Sequence, residues 1–97
     1  MGQARALLEV AMIRVVRTPE RLSEVLHDYR RLHKLTQQDV ATKAGLKQAT
    51  VSVIEGNAAH ARLATLYRLV GALGLELVIQ TPGANLGIRQ MKKYDSD

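Results

Sequence analysis

Apolar residues recur along this chain at intervals of three and four in four separate stretches, and a fifth stretch is β-branched and alternating. The first set is Leu22, Val25, Leu26, Tyr29 and Leu32, the spacing of one buried face of a helix. Thr18-Pro19-Glu20 precedes it, with Thr as N-cap, Pro at the first helical position and an acid in the first turn. This helix is expected to end near His33-Lys34. Thr36-Gln37-Gln38-Asp39 opens a second helix, Asp39 standing three residues after the Thr36 cap as in a capping box. Val40, Ala41 and Ala44 form its inward face, Gly45 ends it in the left-handed conformation, and Leu46 turns inward. A third helix runs from Lys47 or Gln48 to Glu55 with Val51 and Ile54 inward, and Gly56-Asn57 stops it. A fourth spans about Leu63 to Leu73, with Leu63, Leu66, Tyr67, Val70 and Leu73 on one side and Gly74 at its end. Leu75 to Gln80 predicts a strand, closed by Thr81-Pro82-Gly83, and Ile13 to Val16 a short one.

The organisation that follows is mainly α. Residues 1–17 are an N-terminal extension, 18–74 a four-helix domain, 75–81 a strand and 82–97 a mobile tail carrying Arg89, Lys92, Lys93, Asp95 and Asp97. At 97 residues with 46% apolar side chains the chain forms one domain with a packed core. Met12 offers an alternative start, which would make residues 1–11 dispensable. The first residues carry Arg5, Arg14 and Arg17 and are interrupted by Glu9, unlike a secretory signal. No apolar run approaches the ~18 residues of a membrane span, so the protein is expected in the cytoplasm.

Composition narrows the chemistry. The absence of Cys removes disulfides, thiolate metal sites and a thiol nucleophile. His27, His33 and His60 are the only classical bases, and they stand in no metal-binding spacing; His33 is expected to be half-buried, the other two exposed. Ser52 and Ser96 lack a nucleophile-elbow context, and there is no glycine-rich phosphate loop. Neither an enzyme nor a bound cofactor or metal is expected. The net charge of +5 and pI near 10.0 favour a polyanionic partner. Three Tyr with no Phe or Trp disfavour stacking on single strands, which leaves duplex DNA.

The two short helices joined through Ala44-Gly45-Leu46 form a helix-turn-helix. The front of its second helix faces base edges in the major groove. Gln48 has an amide suited to adenine N6 and N7 together, Ala49 a methyl for a thymine methyl, and Thr50 and Ser52 hydroxyls for bases or phosphates. Lys47 stands where a Ser or Thr cap is usual; losing that cap costs about 1 kcal/mol, while its ammonium reaches a phosphate. Gln37, at the N-terminus of the preceding helix, suits another phosphate, and Gln38 and Lys43 extend the contact. Taken singly, an exposed Gln, Thr or Ser on a helix is usually just solvated surface; the place at the front of a recognition helix is what favours base contact. Residues 36–60 are electrically neutral, with Lys43 and Lys47 against Asp39 and Glu55. The positive excess lies in flanks that include Arg14, Arg17, Arg62 and Arg68.

The run Leu35-Thr36-Gln37-Gln38-Asp39-Val40-Ala41, then Ala44-Gly45-Leu46, then Gln48-Ala49-Thr50-Val51-Ser52 and Ile54-Glu55-Gly56, resembles the phage-repressor type of helix-turn-helix domain over residues 20–74. With Lys47-Gln48-Ala49-Thr50 opening the recognition helix and Leu73 to Ile79 following, the chain resembles the HipB antitoxin family. The resemblance implies a homodimer on double-stranded operator DNA that represses its own operon and restrains a HipA-type serine/threonine kinase toxin. It also implies a partly buried ion pair between Arg30 and Glu55, and a backbone contact for Gln37. The family often has Gly where this chain has Lys34, so Lys34 must adopt a strained conformation or the first helix must end differently. The predicted strand lacks a partner within an otherwise helical chain. A second copy supplies one across a two-fold axis, with Leu75, Leu77, Val78 and Ile79 in the contact. A stand-alone regulator, an antitoxin of another toxin class, and an interaction module without DNA binding are the rival readings.

Overall fold

The computed structural model describes residues 13–83. Helix α1 spans Pro19–Leu32, α2 Gln37–Ala44, α3 Gln48–Gly56 and α4 Leu63–Ala72, with a short 3-10 turn at Ala58–His60 between the last two. The expectations for residues 1–12 and for the 84–97 tail lie outside the described residues.

The helix starts follow the sequence signals. The Thr18 hydroxyl accepts from the Arg21 N–H at 3.0 Å. Thr36 and Asp39 form the reciprocal box, the Asp39 N–H donating to Thr36 Oγ1 at 3.0 Å and the Thr36 N–H to Asp39 Oδ2 at 2.9 Å. Lys47 heads α3 with no side-chain cap, as its chemistry requires.

Three helices end in one device. Leu35 N–H donates to Arg30 O, Leu46 N–H to Ala41 O and Leu75 N–H to Val70 O, at 2.9 to 3.1 Å. The residue before each leucine sits at positive φ: Lys34 at 59°, Gly45 at 70° and Gly74 at 74°. Each pair also has the tighter bond, from Lys34, Gly45 and Gly74 back to Arg31, Thr42 and Gly71. This is the Schellman arrangement, which satisfies orphan carbonyls and turns the next residue inward. All three leucines pack against the core. Of the two outcomes posed for Lys34, the chain takes the strained one.

The core is built by Leu26, Val40, Ala41, Val51, Ile54, Ala58, Leu69, Val70 and Leu73. The face of α4 is rotated from the predicted one: Leu69 is buried, while Leu63 and Tyr67 are 63% and 56% exposed. Leu69 stands three residues after Leu66 and four before Leu73, so the alternative stripe was equally helical; packing on α2 selects it. Leu32, expected inward, is exposed where α1 ends. Ser23 is buried inside α1, its hydroxyl donating to Ile54 O and accepting from the Ala58 N–H, both at 2.8 Å. It ties α1 to the end of α3 and to the 3-10 turn.

Neither predicted strand forms: residues 13–17 and 75–80 carry no strand, and none occurs among the described residues. A strand is defined by its neighbour's hydrogen bonds, and the described residues of one copy offer Leu75 to Gln80 no such neighbour. Leu75 is committed to the core by its cap, while Leu77, Val78 and Ile79 stand exposed, Ile79 at 99%.

Candidate nucleic-acid interface

Gly45 and Leu46 set α2 and α3 against each other so that the first residues of both helices lie together. The side chains there form a continuous hydrogen-bonded chain starting from a buried ion pair. Arg30, from α1, donates through Nε to Glu55 Oε2 at 2.6 Å and through Nη2 to Glu55 Oε1 at 3.0 Å, while its Nη1 donates to Leu35 O at 2.7 Å. The side chains of Arg30 and Glu55 are 12% and 5% exposed. The pair implied for the first and third helices is therefore present, and its third bond fixes the turn into α2. Burial pushes the Glu55 carboxyl up, but hydrogen bonds from Arg30 and Gln37 and the guanidinium charge outweigh it, so it sits below the ordinary carboxylate range.

The chain then passes outward. Gln37 Nε2 donates to Glu55 Oε1 at 3.1 Å, and Gln48 Nε2 donates to Gln37 Oε1 at 2.6 Å. The direction is dictated from inside. An ionised carboxylate only accepts, so Gln37 must turn its N–H2 toward Glu55 and its oxygen outward, and Gln48 must answer with an N–H. Gln48, exposed at the tip of α3, retains its oxygen and its second N–H. That is one acceptor beside one donor, the pattern complementary to adenine N6 and N7.

Gln48, Ala49, Ser52 and Val53 are the exposed residues on the outer face of α3, and Thr50 is half-buried. Val53 was not among the sequence candidates. It is 68% exposed, one turn beyond Ala49, so the two present adjacent apolar groups on the face that carries Gln48. The signal was in the sequence: Val51 and Ile54 claim the inward positions of a short helix and leave no inward place for Val53. The remaining candidates divide. Gln38 is tied within its own helix, Nε2 donating to Thr42 Oγ1 at 3.2 Å. Lys43 is six residues beyond Gln37, about 9 Å along α2 and about 120° round it, and does not join the glutamine pair. Arg68 reaches the interhelical turn, its Nη1 donating to Gly45 O at 3.4 Å. The Asp39 carboxyl is held below its ordinary range, first by the Thr36 backbone N–H.

No group of three or more potential metal ligands occurs among the described residues, and no helix there is long and apolar enough to cross a membrane.

Residues 26–79 match the helix-turn-helix family. Antitoxin HipB of Escherichia coli strain K12 is 31% identical over 62 residues, which cover 64% of this chain and 70% of that protein. Among solved structures, HipB in its O4 20mer complex superposes with a TM-score of 0.69 at 27% identity, covering 72% of this chain and 99% of that one. HipB in a HipA-HipB-O2-O3 complex gives the same TM-score, identity and coverage. A restriction-modification controller protein superposes less fully, with a TM-score of 0.57 at 26% identity over 60% of this chain and 75% of the other. With a family match over more than half its length, and the capped helix pair that carries the match in place, the chain belongs to the helix-turn-helix family of HipB-type antitoxins.

Proposed function

We propose that this protein is a sequence-specific repressor of double-stranded operator DNA, acting as the antitoxin of a type II toxin–antitoxin pair. It works in the cytoplasm as a homodimer, represses its own operon and neutralises a HipA-like serine/threonine kinase. The observation that carries the DNA reading is the Arg30–Glu55–Gln37–Gln48 chain, which holds the Gln48 amide in a base-reading orientation before DNA arrives. A side chain already ordered loses less entropy on binding. Ala49 and Val53 supply apolar contact for thymine methyls, and Thr50 and Ser52 their hydroxyls. Lys47 and the free amides at the start of α3 take phosphates, and Gln37 and Gln38 lie where the start of α2 meets the other side of the groove.

The homodimer follows from the stretch after α4. Leu77, Val78 and Ile79 are exposed, and no strand pairs with them among the described residues. The same stretch from a second copy, antiparallel around a two-fold axis, supplies both the cover and the pairing strand. Two recognition helices then meet half-sites about 34 Å apart. The kinase partner is supported by similarity to the HipB of a HipA-HipB-O2-O3 complex. Similarity to a restriction-modification controller protein favours a second reading, a regulator without a kinase partner. A copurification assay with a kinase-like protein encoded beside this one separates the two.

The test of DNA reading is a gel shift on the protein's own upstream DNA across a salt series. Gln48→Ala should relax sequence preference by about 1–3 kcal/mol at one position, and Lys47→Ala should lower affinity on all sequences and flatten the salt slope by about one. Binding unaltered by both substitutions would refute the recognition-helix assignment.

A further inference from the structure

A groove of about 770 Å³ opens where the ends of α1 and α2 meet the outer side of α4. Its position on α2 is the Lys43 end, away from the Gln37–Gln48 pair. Leu35 and Leu73 lie at its base, and Tyr67 stands beside it with more than half its surface exposed. His33, Lys43 and Arg68 line it, and among the described residues no acidic side chain does. Arg68 is steadied by its bond to Gly45 O. Leu63, one turn before Tyr67 on α4, continues the exposed apolar strip beyond the groove.

We infer that this groove docks an acidic segment of a partner protein, one that carries aliphatic side chains between its carboxylates. Two properties of the groove select that chemistry together. Its rim is positive, so it favours carboxylates and disfavours basic segments. Its base is apolar, so the occupant gains from aliphatic groups placed between those charges. A phosphate satisfies the rim and leaves the base wet; a neutral apolar segment does the reverse. The volume is in the range of sites that hold a few buried groups. The site therefore gives the protein a second binding surface, separate from the face carrying Gln48, on which a partner can sit while DNA is held. It uses no residue of the glutamine chain, so it stands or falls independently of the DNA reading.

The experiment titrates the isotopically labelled full chain with a synthetic peptide repeating Glu-Leu-Leu-Glu and follows amide shifts by NMR. The expected result is movement of Ala44, Gly71 and Gly74, weakened by salt, with no movement on adding the Lys-Leu-Leu-Lys counterpart. Arg68→Glu with Tyr67→Ala should weaken the peptide by about tenfold or more, with thermal unfolding verifying that the variant folds. Four results would overturn the proposal: no groove shifts at millimolar peptide, shifts centred elsewhere, equal binding of the basic peptide, or affinity unchanged in the folded variant. Groove shifts that grow with protein concentration alone identify a second copy as the occupant, and equal shifts with a non-specific duplex identify nucleic acid; either also overturns it.

Discussion

The ion pair at the base of the glutamine chain makes the sharpest energetic prediction. Arg30 and Glu55 are 12% and 5% exposed and share two hydrogen bonds of 2.6 and 3.0 Å, and the guanidinium has a third at 2.7 Å to Leu35 O. Removing one partner leaves the other charge buried and unpaired, which costs about 3–5 kcal/mol. Against a total of about 5–15 kcal/mol for a domain, Glu55→Leu or Arg30→Met alone removes a large share of the stability. The double variant Arg30→Met/Glu55→Leu buries no orphan charge. It should recover most of the loss, leaving mainly the unpaired Leu35 carbonyl at about 1–3 kcal/mol. The sum of the single effects should therefore exceed the double effect by several kcal/mol, a coupling well above the ~1 kcal/mol ceiling of an exposed pair. Urea unfolding followed by far-ultraviolet circular dichroism at neutral pH measures all four corners of the cycle, since the chain has no Trp for fluorescence. The pH dependence gives a second arm. Glu55 is depressed in the folded state, so its contribution is complete above the unfolded glutamate pKa of about 4.3 and is lost as pH falls through the lower folded value. The wild type should lose stability on acidification over that window, and the double variant should lack this component. Single substitutions costing under about 1 kcal/mol, or an additive double, would refute the buried-pair reasoning.

Other substitutions test separate parts of the fold. Ser23→Ala leaves the Ile54 carbonyl and the Ala58 N–H without their shared hydroxyl. It should cost about 1–3 kcal/mol in denaturant unfolding, and a neutral result would mean water replaces the hydroxyl. Lys34→Gly removes side-chain strain at a φ of 59°. It should raise stability by up to about 1 kcal/mol, visible as a higher melting temperature with unchanged helical content. Leu77→Arg places a charge in the proposed dimer contact and should give monomers by sedimentation; unchanged dimers would assign association to another surface.

What the sequence disclosed and what it withheld have the same cause. A cap, a glycine turn or a buried stripe is a local cause acting within a few residues. Thr18, the Thr36–Asp39 box and Gly45 accordingly occupy the roles their sequence positions dictate. Leu69 and Val53 were missed because helical spacing allows two overlapping stripes on a short helix, and only packing against the neighbouring helices chooses between them. Ser23 was illegible for a stronger reason: its partners, Ile54 and Ala58, are more than thirty residues away. The strand predicted at 75–80, which does not form, shows the limit of local reading. Its pattern reports a backbone that prefers to be extended, but a ladder needs a second strand, and none of the described residues supplies one. The candidate site combines both kinds of information. Gln37 and Gln48 could be picked out as helix-start residues, whereas the direction of their amides could not. That direction is inherited from the charge on Glu55, which Arg30 maintains from another helix. A substitution in the α1–α3 ion pair should therefore disturb base reading at a residue that neither partner touches. Glu55→Gln is the discriminating change, because it keeps the side-chain shape while removing the charge that biases the Gln37 amide, and its cost in leaving the Arg30 guanidinium without a counter-ion is read separately by thermal unfolding. It should loosen the preference at the base read by Gln48 while phosphate-driven binding to non-specific duplex holds. An unchanged preference in the folded variant would mean that Gln48 is oriented by the DNA itself.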